Sequence, residues 1–187
     1  SHDQHADNLD ELGRALLRTV PLVLTTAVAA GRLDAVARGL APWSSHRLGR
    51  LAVTAVPAQH GPDGTEHLVG PVIGFVLAAP DLPTVYVSGD NASLDVVRSI
   101  ARRFARIDVA VLFAGAGRTA VFDSTLTLTA AQAAEATEIL GGPRVLVAHT
   151  DEWAHLTEDY DTVLAAFADA ALSELLIDNT PGRRSAL

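Results

Sequence analysis

The chain has 187 residues, 49% hydrophobic and 19% charged, which is enough apolar material for one full core. A formal net charge of -8 excludes a phosphate-tracking surface, because binding nucleic acid needs clustered cations that displace counterions. The absence of cysteine excludes disulfides and thiolate ligands, so a metal ion would have to be held by His, Asp, Glu or another oxygen donor.

From the amino terminus, Ser1 to Asn8 is a polar loop. Leu9, Leu12 and Leu16 then recur at helical spacing, and Asn8 with Glu11 three residues later resembles a capping box, so a helix is predicted over about 9–19. Pro21 breaks it, Leu22 to Thr26 reads as a short buried strand, and a small Ala-rich helical turn precedes a connector around Trp43 and Ser44. Leu51 to Val56 is a strand closed by Pro57. A loop with Gln59, His60, Gly61, Pro62, Gly64 and His67 follows.

Val72 to Ala78 and Thr84 to Val87, separated by Pro-Asp-Leu-Pro, predict an antiparallel hairpin whose second strand delivers Ser88, Gly89 and Asp90. Leu94, Val97, Ala101 and Phe104 mark a helix carrying an arginine face of Arg98, Arg102, Arg103 and Arg106, best read as solvated. Val109 to Phe113 is the next strand. Gly115, Gly117 and Arg118 after it offer backbone N–H groups to a phosphate, a weak signal. Thr129 and Gln132 cap an Ala-rich helix that stops at Gly141 and Gly142, and Val145 to Ala148 is a strand ending at His149. Leu164, Phe167, Ala171 and Leu175 define a last helix, and residues 181–187 read as a frayed tail after a single domain over 1–180. The class is mixed α/β.

His60, Asp90 and His149 each follow a predicted strand, and loops at one edge of a sheet are where sites assemble in layered α/β folds. Ser1-His2-Asp3-Gln4-His5-Ala6-Asp7-Asn8 adds two imidazoles and two carboxylates before a helix, the donor types that Zn²⁺ and other first-row ions take when thiolates are absent. Asp90, Asn91 and Ser93 all suit the cap of the Leu94 helix, which frees Asp90 for ligation. His46 and His67 match no motif and read as ordinary polar residues.

Ser-His-Asp, His-x-Asp-Asn-Leu-Asp, Pro-Ala-Gln-His-Gly, Tyr-Val-Ser-Gly-Asp and the strand ending at His149 before Trp153 together resemble the metallo-β-lactamase superfamily. Within it the chain is similar to the ascorbate-6-phosphate lactonase-like metal-dependent hydrolases. The resemblance implies an αββα sandwich, with amino-terminal strands expected to precede Ser1. It further implies that His2, His5 and His60 hold one ion, that Asp7 and His149 hold a second, and that Asp90 bridges them.

Two departures stand out. One extra residue makes the spacing His-x-x-His, and Asn8 takes the place of the family's fourth motif His, where capping is its expected role. The second ion would then have Asp7, Asp90 and His149, an oxygen-rich set that suits Mn²⁺, Fe²⁺ or a weakly held Zn²⁺. Zinc is the first expectation, with one or two ions.

The expected activity is hydrolysis of a small ester, lactone or phosphoester by a metal-activated water. Asp7 is the first candidate for handling the proton and His155 the second, while Trp153 reads as a loop anchor or a substrate contact. A catalytically weakened metal-binding or assembly protein is the alternative, and a metal-free binding domain the third. A small-molecule partner, no nucleic acid, no membrane span and a cytoplasmic location complete the expectations, with a homo-oligomer open.

Overall fold

A computed structural model describes residues 1–33, 36–151, 153–180 and 182–185. Its centre is a six-stranded sheet in the order β10-β7-β6-β5-β4-β3. These strands are β3 (Ser45–Leu48), β4 (Leu51–Pro57), β5 (Ile73–Ala78), β6 (Val85–Val87), β7 (Val109–Phe113) and β10 (Arg144–Ala148). β6, β7 and β10 are mutually parallel, while β3, β4, β5 and β6 pair antiparallel in sequence order. Two reversals give β4 the same direction as β6, so β4, β6, β7 and β10 all end at one edge.

The period-two pattern of the strands divides the core. Val56, Val76, Tyr86, Ala110, Leu112, Val145 and Val147 face α4 (Leu94–Arg103), α5 (Ala130–Ile139) and α6 (Tyr160–Asp169), which bury Val97, Ile100, Val163 and Phe167 against them. α5 presents Ala130, Ala133, Ala134, Ala136 and Thr137 as its buried residues, and such small side chains let it lie close to the sheet. Its Thr129–Gln132 capping box forms as the sequence predicts. Arg98 on α4 bridges Asp95 and Glu135, and Arg103 lies over the Trp43 ring at 5.2 Å, so the arginine face is paired as well as solvated.

On the opposite face Ala55 and Ile73 meet Leu40 and Leu24. Leu24 belongs to β1 (Val23–Thr25), which pairs in parallel with β2 (Ala37–Gly39). Gly39 lies against α2 (Ala27–Ala30), where a Cβ would come 2.5 Å from the Ala27 Cα. Helix, small sheet, large sheet and helices therefore stack as the αββα layering that the motifs imply. A further pair, β8 (Arg118–Thr119) and β9 (Phe122–Thr125), stands beside the ligand edge.

Several boundaries differ from the sequence reading. α1 spans Glu11–Leu17 and is capped by Asp10, whose carboxylate accepts from the Gly13 N–H at 2.7 Å; Asn8 is not its cap. Residues Glu66–Val69 form α3, so His67 sits on a helical turn, with its Nδ1 3.1 Å from the Gly64 carbonyl. The last helix stops at Asp169, Ala171 takes φ 58°, and a 3₁₀ turn, Ser173–Leu175, follows. Gly182 to Ser185 turn back on Asp178 through Arg183 at 2.8 Å and the Ser185 hydroxyl, while Pro181, Ala186 and Leu187 of the expected tail lie outside the described residues. Among the described residues no helix is long and apolar enough to cross a membrane.

Phe167 is fully buried between α6 and the sheet. Phe167→Ala is expected to lower unfolding free energy by about 3–5 kcal/mol, read from urea melts, because its cavity cannot close in a layer already lined by alanine.

Candidate metal centre

The common edge of β4, β6, β7 and β10 delivers the candidate ligands. Gln59 and Asn91 tie the first two loops together: the Gln59 N–H donates to Asn91 Oδ1 at 3.1 Å and the Ala92 N–H to the Gln59 carbonyl at 2.8 Å. Ser93 caps α4, accepting from the Val96 N–H at 3.4 Å, which leaves Asp90 free as anticipated. His60 and Asp90 are thereby brought together, each 7% exposed or less.

The loop before α1 closes over them. Asp3 is buried and held by a bidentate pair from the Arg32 guanidinium, whose Nε reaches Oδ2 at 2.8 Å, while Arg14 donates to the Asp3 carbonyl at 2.5 Å. That guanidinium keeps the Asp3 carboxyl below the ordinary carboxylate range. The Asn8 amide donates to the carbonyls of His2 and Gln4. Asn8 therefore ties the extra residue of His-x-x-His into a turn, and His5 at its centre takes φ 67°.

Two donor groups result. In the first, one ring nitrogen from each of His2, His5 and His60 lies within 4.8 Å of the others, and Asp90 Oδ2 is 3.7 Å from both His2 Nε2 and His60 Nε2. His60 Nδ1–H donates to the Leu126 carbonyl at 2.9 Å, which leaves the lone pair on Nε2. That Nε2 is buried with no hydrogen-bond partner. A buried imidazole nitrogen without a partner is costly, and facing a carboxylate and two further imidazoles it fits a divalent cation. Burial, reinforced by His60, lowers the His2 pKa to about 3, and burial also lowers that of His5. Both rings stay neutral at pH 7, as ligation requires.

The second group is Asp7, His149 and His155, whose donor atoms also lie within 4.8 Å of one another. Asp7 Oδ2 is 2.9 Å from His155 Nε2 and 3.6 Å from His149 Nε2. The sequence reading made Asp90 a bridge between the two groups; its Oδ2 lies 3.7 Å from both His2 Nε2 and His60 Nε2, while Asp7 has His155 nearer than His149. The one available signal for His155 was its place two residues after Trp153.

His149 and His155 share a support. His149 has φ 60°, and a Cβ on Gly115 would overlap the His149 carbonyl oxygen, so only glycine fits behind it. The amides of Ala116, Gly117 and Arg118 donate to the Leu128 carbonyl, Thr127 Oγ1 and the His155 carbonyl at 3.0, 3.2 and 2.9 Å. Gly117 and Arg118, two of the three residues considered from sequence as phosphate donors, thus commit their amides to holding loops. His46 pairs with Arg38 and takes no part in either donor group.

Both groups open onto one cleft of about 390 Å³. His5, Asp7, His60, His149 and His155 line its floor, and Leu68, Val69, Val121, Phe122, Leu126 and Trp153 its walls. The ring of Trp153 lies 6.2 Å from that of His155, so this side chain both packs the loop and faces the cleft.

Gly115→Ala is expected to cost about 1–3 kcal/mol in urea unfolding, by pushing the His149 carbonyl away, and to weaken metal binding in dialysis. Titration of the metal-free protein gives a second test. The folded state holds His2 neutral down to about 3, whereas the unfolded chain takes the proton near 6.5. The associated stability is complete above about 6.5 and is lost as pH falls toward 3, so the urea midpoint should fall from pH 7 to pH 5, and less in His2→Gln.

Comparison with known proteins agrees with this geometry. Residues 3–150 match the β-lactamase superfamily domain. The UPF0173 metal-dependent hydrolase of Methanosphaerula palustris is 30% identical over 161 residues, covering 82% of this chain and 69% of that protein. Isothiocyanate hydrolase from Delia radicum gut bacteria superposes with a TM-score of 0.82 at 17% identity, over 99% of this chain and 75% of that one. Igni18, a metallo hydrolase from Ignicoccus hospitalis, gives a TM-score of 0.70 at 22% identity, over 97% and 75%. With four fifths of its length matching the superfamily domain and a relative 30% identical over 82% of it, the chain belongs to the β-lactamase superfamily and, within it, to the UPF0173 metal-dependent hydrolases.

Proposed function

We propose that the protein hydrolyses a small, uncharged ester or lactone, with His2, His5, His60 and Asp90 holding the divalent ion. The observation that carries this reading is the partnerless Nε2 of His60, turned toward Asp90 by the Nδ1–H bond to Leu126. Three imidazoles favour Zn²⁺, with Mn²⁺ or Fe²⁺ as substitutes. An ion held there supplies an activated water at neutral pH and polarises the bond under attack.

The remaining roles fall to residues of the cleft. Asp7 handles the proton that leaves with the product alcohol, and His155, 2.9 Å from its Oδ2, orients the carboxylate and exchanges that proton with solvent. Leu68, Val121, Phe122 and Trp153 give the substrate an apolar wall and hold water away from the reacting carbonyl. Arg118 is the one cation lining the cleft among the described residues, and it already pairs with Asp123 at 3.2 Å. A phosphate group lying away from the ion would therefore find no unpaired side-chain cation along the cleft among the described residues. The reading therefore keeps the lactone chemistry of the branch that the motifs resemble and leaves out its phosphate.

Protein purified without chelator and assayed with Zn²⁺ and Mn²⁺ on aliphatic lactones, aryl esters and phosphodiesters tests the proposal. Lactone or ester turnover that needs metal and exceeds phosphodiester turnover is expected, with His60→Ala losing both the ion and the activity. Metal-independent turnover, or a preference for phosphodiesters, would overturn it.

A further inference from the structure

We infer that the cleft orients its substrate: the acyl chain lies on the His60 side, against Leu68, Val121 and Phe122, and the alcohol part lies on the Asp7 side, against His155 and Trp153. The preferred substrate is then an ester of an aliphatic acid, or a lactone carrying an alkyl chain on its carbonyl side. Leu68 and Val121 become the residues that select chain length. This rests on the ester or lactone hydrolysis proposed above and gives that substrate a direction.

The two ends of the cleft differ in chemistry. His60 opens the loop that carries α3, and Gly61 beside it takes φ 84°. A Cβ on Gly61 would come 3.1 Å from two ring carbons of Phe122 and 3.2 Å from Leu126 Cδ2, so its absence lets the β8–β9 hairpin seat on the His60 loop. The Leu126 carbonyl that holds His60 Nδ1 directly follows the same hairpin. α3 is fixed to the same place, because the Gln4 side chain, between His2 and His5, fills the space of a Cβ at Gly70. Leu68 of α3 and Val121 and Phe122 of the hairpin therefore wall the cleft beside the first donor group. At the other end Asp7 Oδ2 is 2.9 Å from His155 Nε2, and the Trp153 ring is 6.2 Å from that of His155. Asp7 handles the proton of the departing alcohol in the proposed reaction, so the alcohol leaves on that side. The acyl half then points to the other.

Exposure shows what the acyl side has to gain. Leu68 and Val121 line the cleft and are still 52% and 66% exposed. Large apolar side chains left in water beside a site gain hydrophobic energy when a ligand covers them, so a chain that reaches them binds better than one that stops short. Arg118 on the same hairpin is paired with Asp123 at 3.2 Å, which suits an uncharged chain. A cleft of about 390 Å³ is at the small end of the roughly 300–1,000 Å³ range of ligand pockets, so the gain should stop once the chain outgrows it.

Two ester series on the metal-loaded protein test the orientation: 4-nitrophenyl esters from acetyl to decanoyl, and acetate esters of straight-chain alcohols. If only lactones turn over, γ-butyrolactones alkylated beside the carbonyl, against those alkylated beside the ring oxygen, replace the two series. Along the acyl series kcat/KM should rise roughly two- to fourfold per methylene and then level off, with a change under about twofold per methylene along the alcohol series. Leu68→Ala and Val121→Ala should each flatten the acyl slope, chiefly through KM. The control Leu82→Ala, 65% exposed on the turn between β5 and β6, should keep the wild-type slope. A flat acyl series, a steeper alcohol series, or a wild-type slope in both cleft variants would overturn the orientation and leave the proposed function standing. Absence of metal-dependent turnover in every series would remove both.

Discussion

The shared direction of four strands is the constraint from which the site follows. β4, β6, β7 and β10 end at one edge because β3 to β6 form an antiparallel meander and β6, β7 and β10 are parallel. Hydrogen-bonded ladders keep the strand ends level to within two residues, and a slip of one position would turn every apolar side chain to the wrong face. The core depends on the same register: Val56, Tyr86, Leu112 and Val147 reach the helices only if each strand keeps its phase. Core and ligand edge are thus fixed by one set of pairings. His60, Asp90 and His149 can lie close in space although 89 positions separate the first from the last.

Two of the donors sit on strained backbone. His5 and His149 both have positive φ, at 67° and 60°, a conformation that costs a non-glycine residue on the order of 1–3 kcal/mol. It persists because neighbours over-determine it. Asn8, Arg14 and Arg32 hold the carbonyls and the Asp3 carboxylate around His5, and Gly115 leaves His149 a single place to go. The Arg32–Asp3 pair matters more for this positioning than for stability, since the half-exposed guanidinium is well screened. The same economy explains the partnerless Nε2 of His60: a nitrogen satisfied within the protein could not also meet a cation.

What was legible in the sequence follows from whether local chemistry decided it. His60, Asp90 and His149 each stand after an apolar run with a clear period, so their common edge could be read once strand directions were inferred. The Thr129–Gln132 capping box held because nothing else competes for those groups. Asn8 failed for the opposite reason. Its capping propensity is real, but the carbonyls left by the extra residue of His-x-x-His attract its amide more strongly, and Asp10 caps α1 instead. β2 and β3, Ala37–Gly39 and Ser45–Leu48, carry too little apolar pattern to announce themselves and exist through their partners β1 and β4. His155 could be named from the Trp-x-His run, but its meeting with Asp7 depends on a loop path across more than 140 residues that no period encodes.

Burial gives the two donor groups different work. The first lies under the amino-terminal loop, where His2 is pushed toward a neutral ring and Asp90 carries the one carboxylate, so an ion there is screened little by solvent. The second borders the cleft, where the Asp7 carboxylate lies 2.9 Å from His155 Nε2 and is more exposed than the donors of the first group. With Asp90 as its one carboxylate, an ion at the first group would carry excess positive charge beside the cleft floor. Such charge matters most beside apolar walls, where Phe122, Val121 and Trp153 lower the local dielectric and strengthen its pull on a developing oxyanion. The uncharged ester or lactone proposed above would enter that field at little desolvation cost and gain most at the moment its carbonyl oxygen becomes negative, which is the condition for a site to favour the transition state over the ground state.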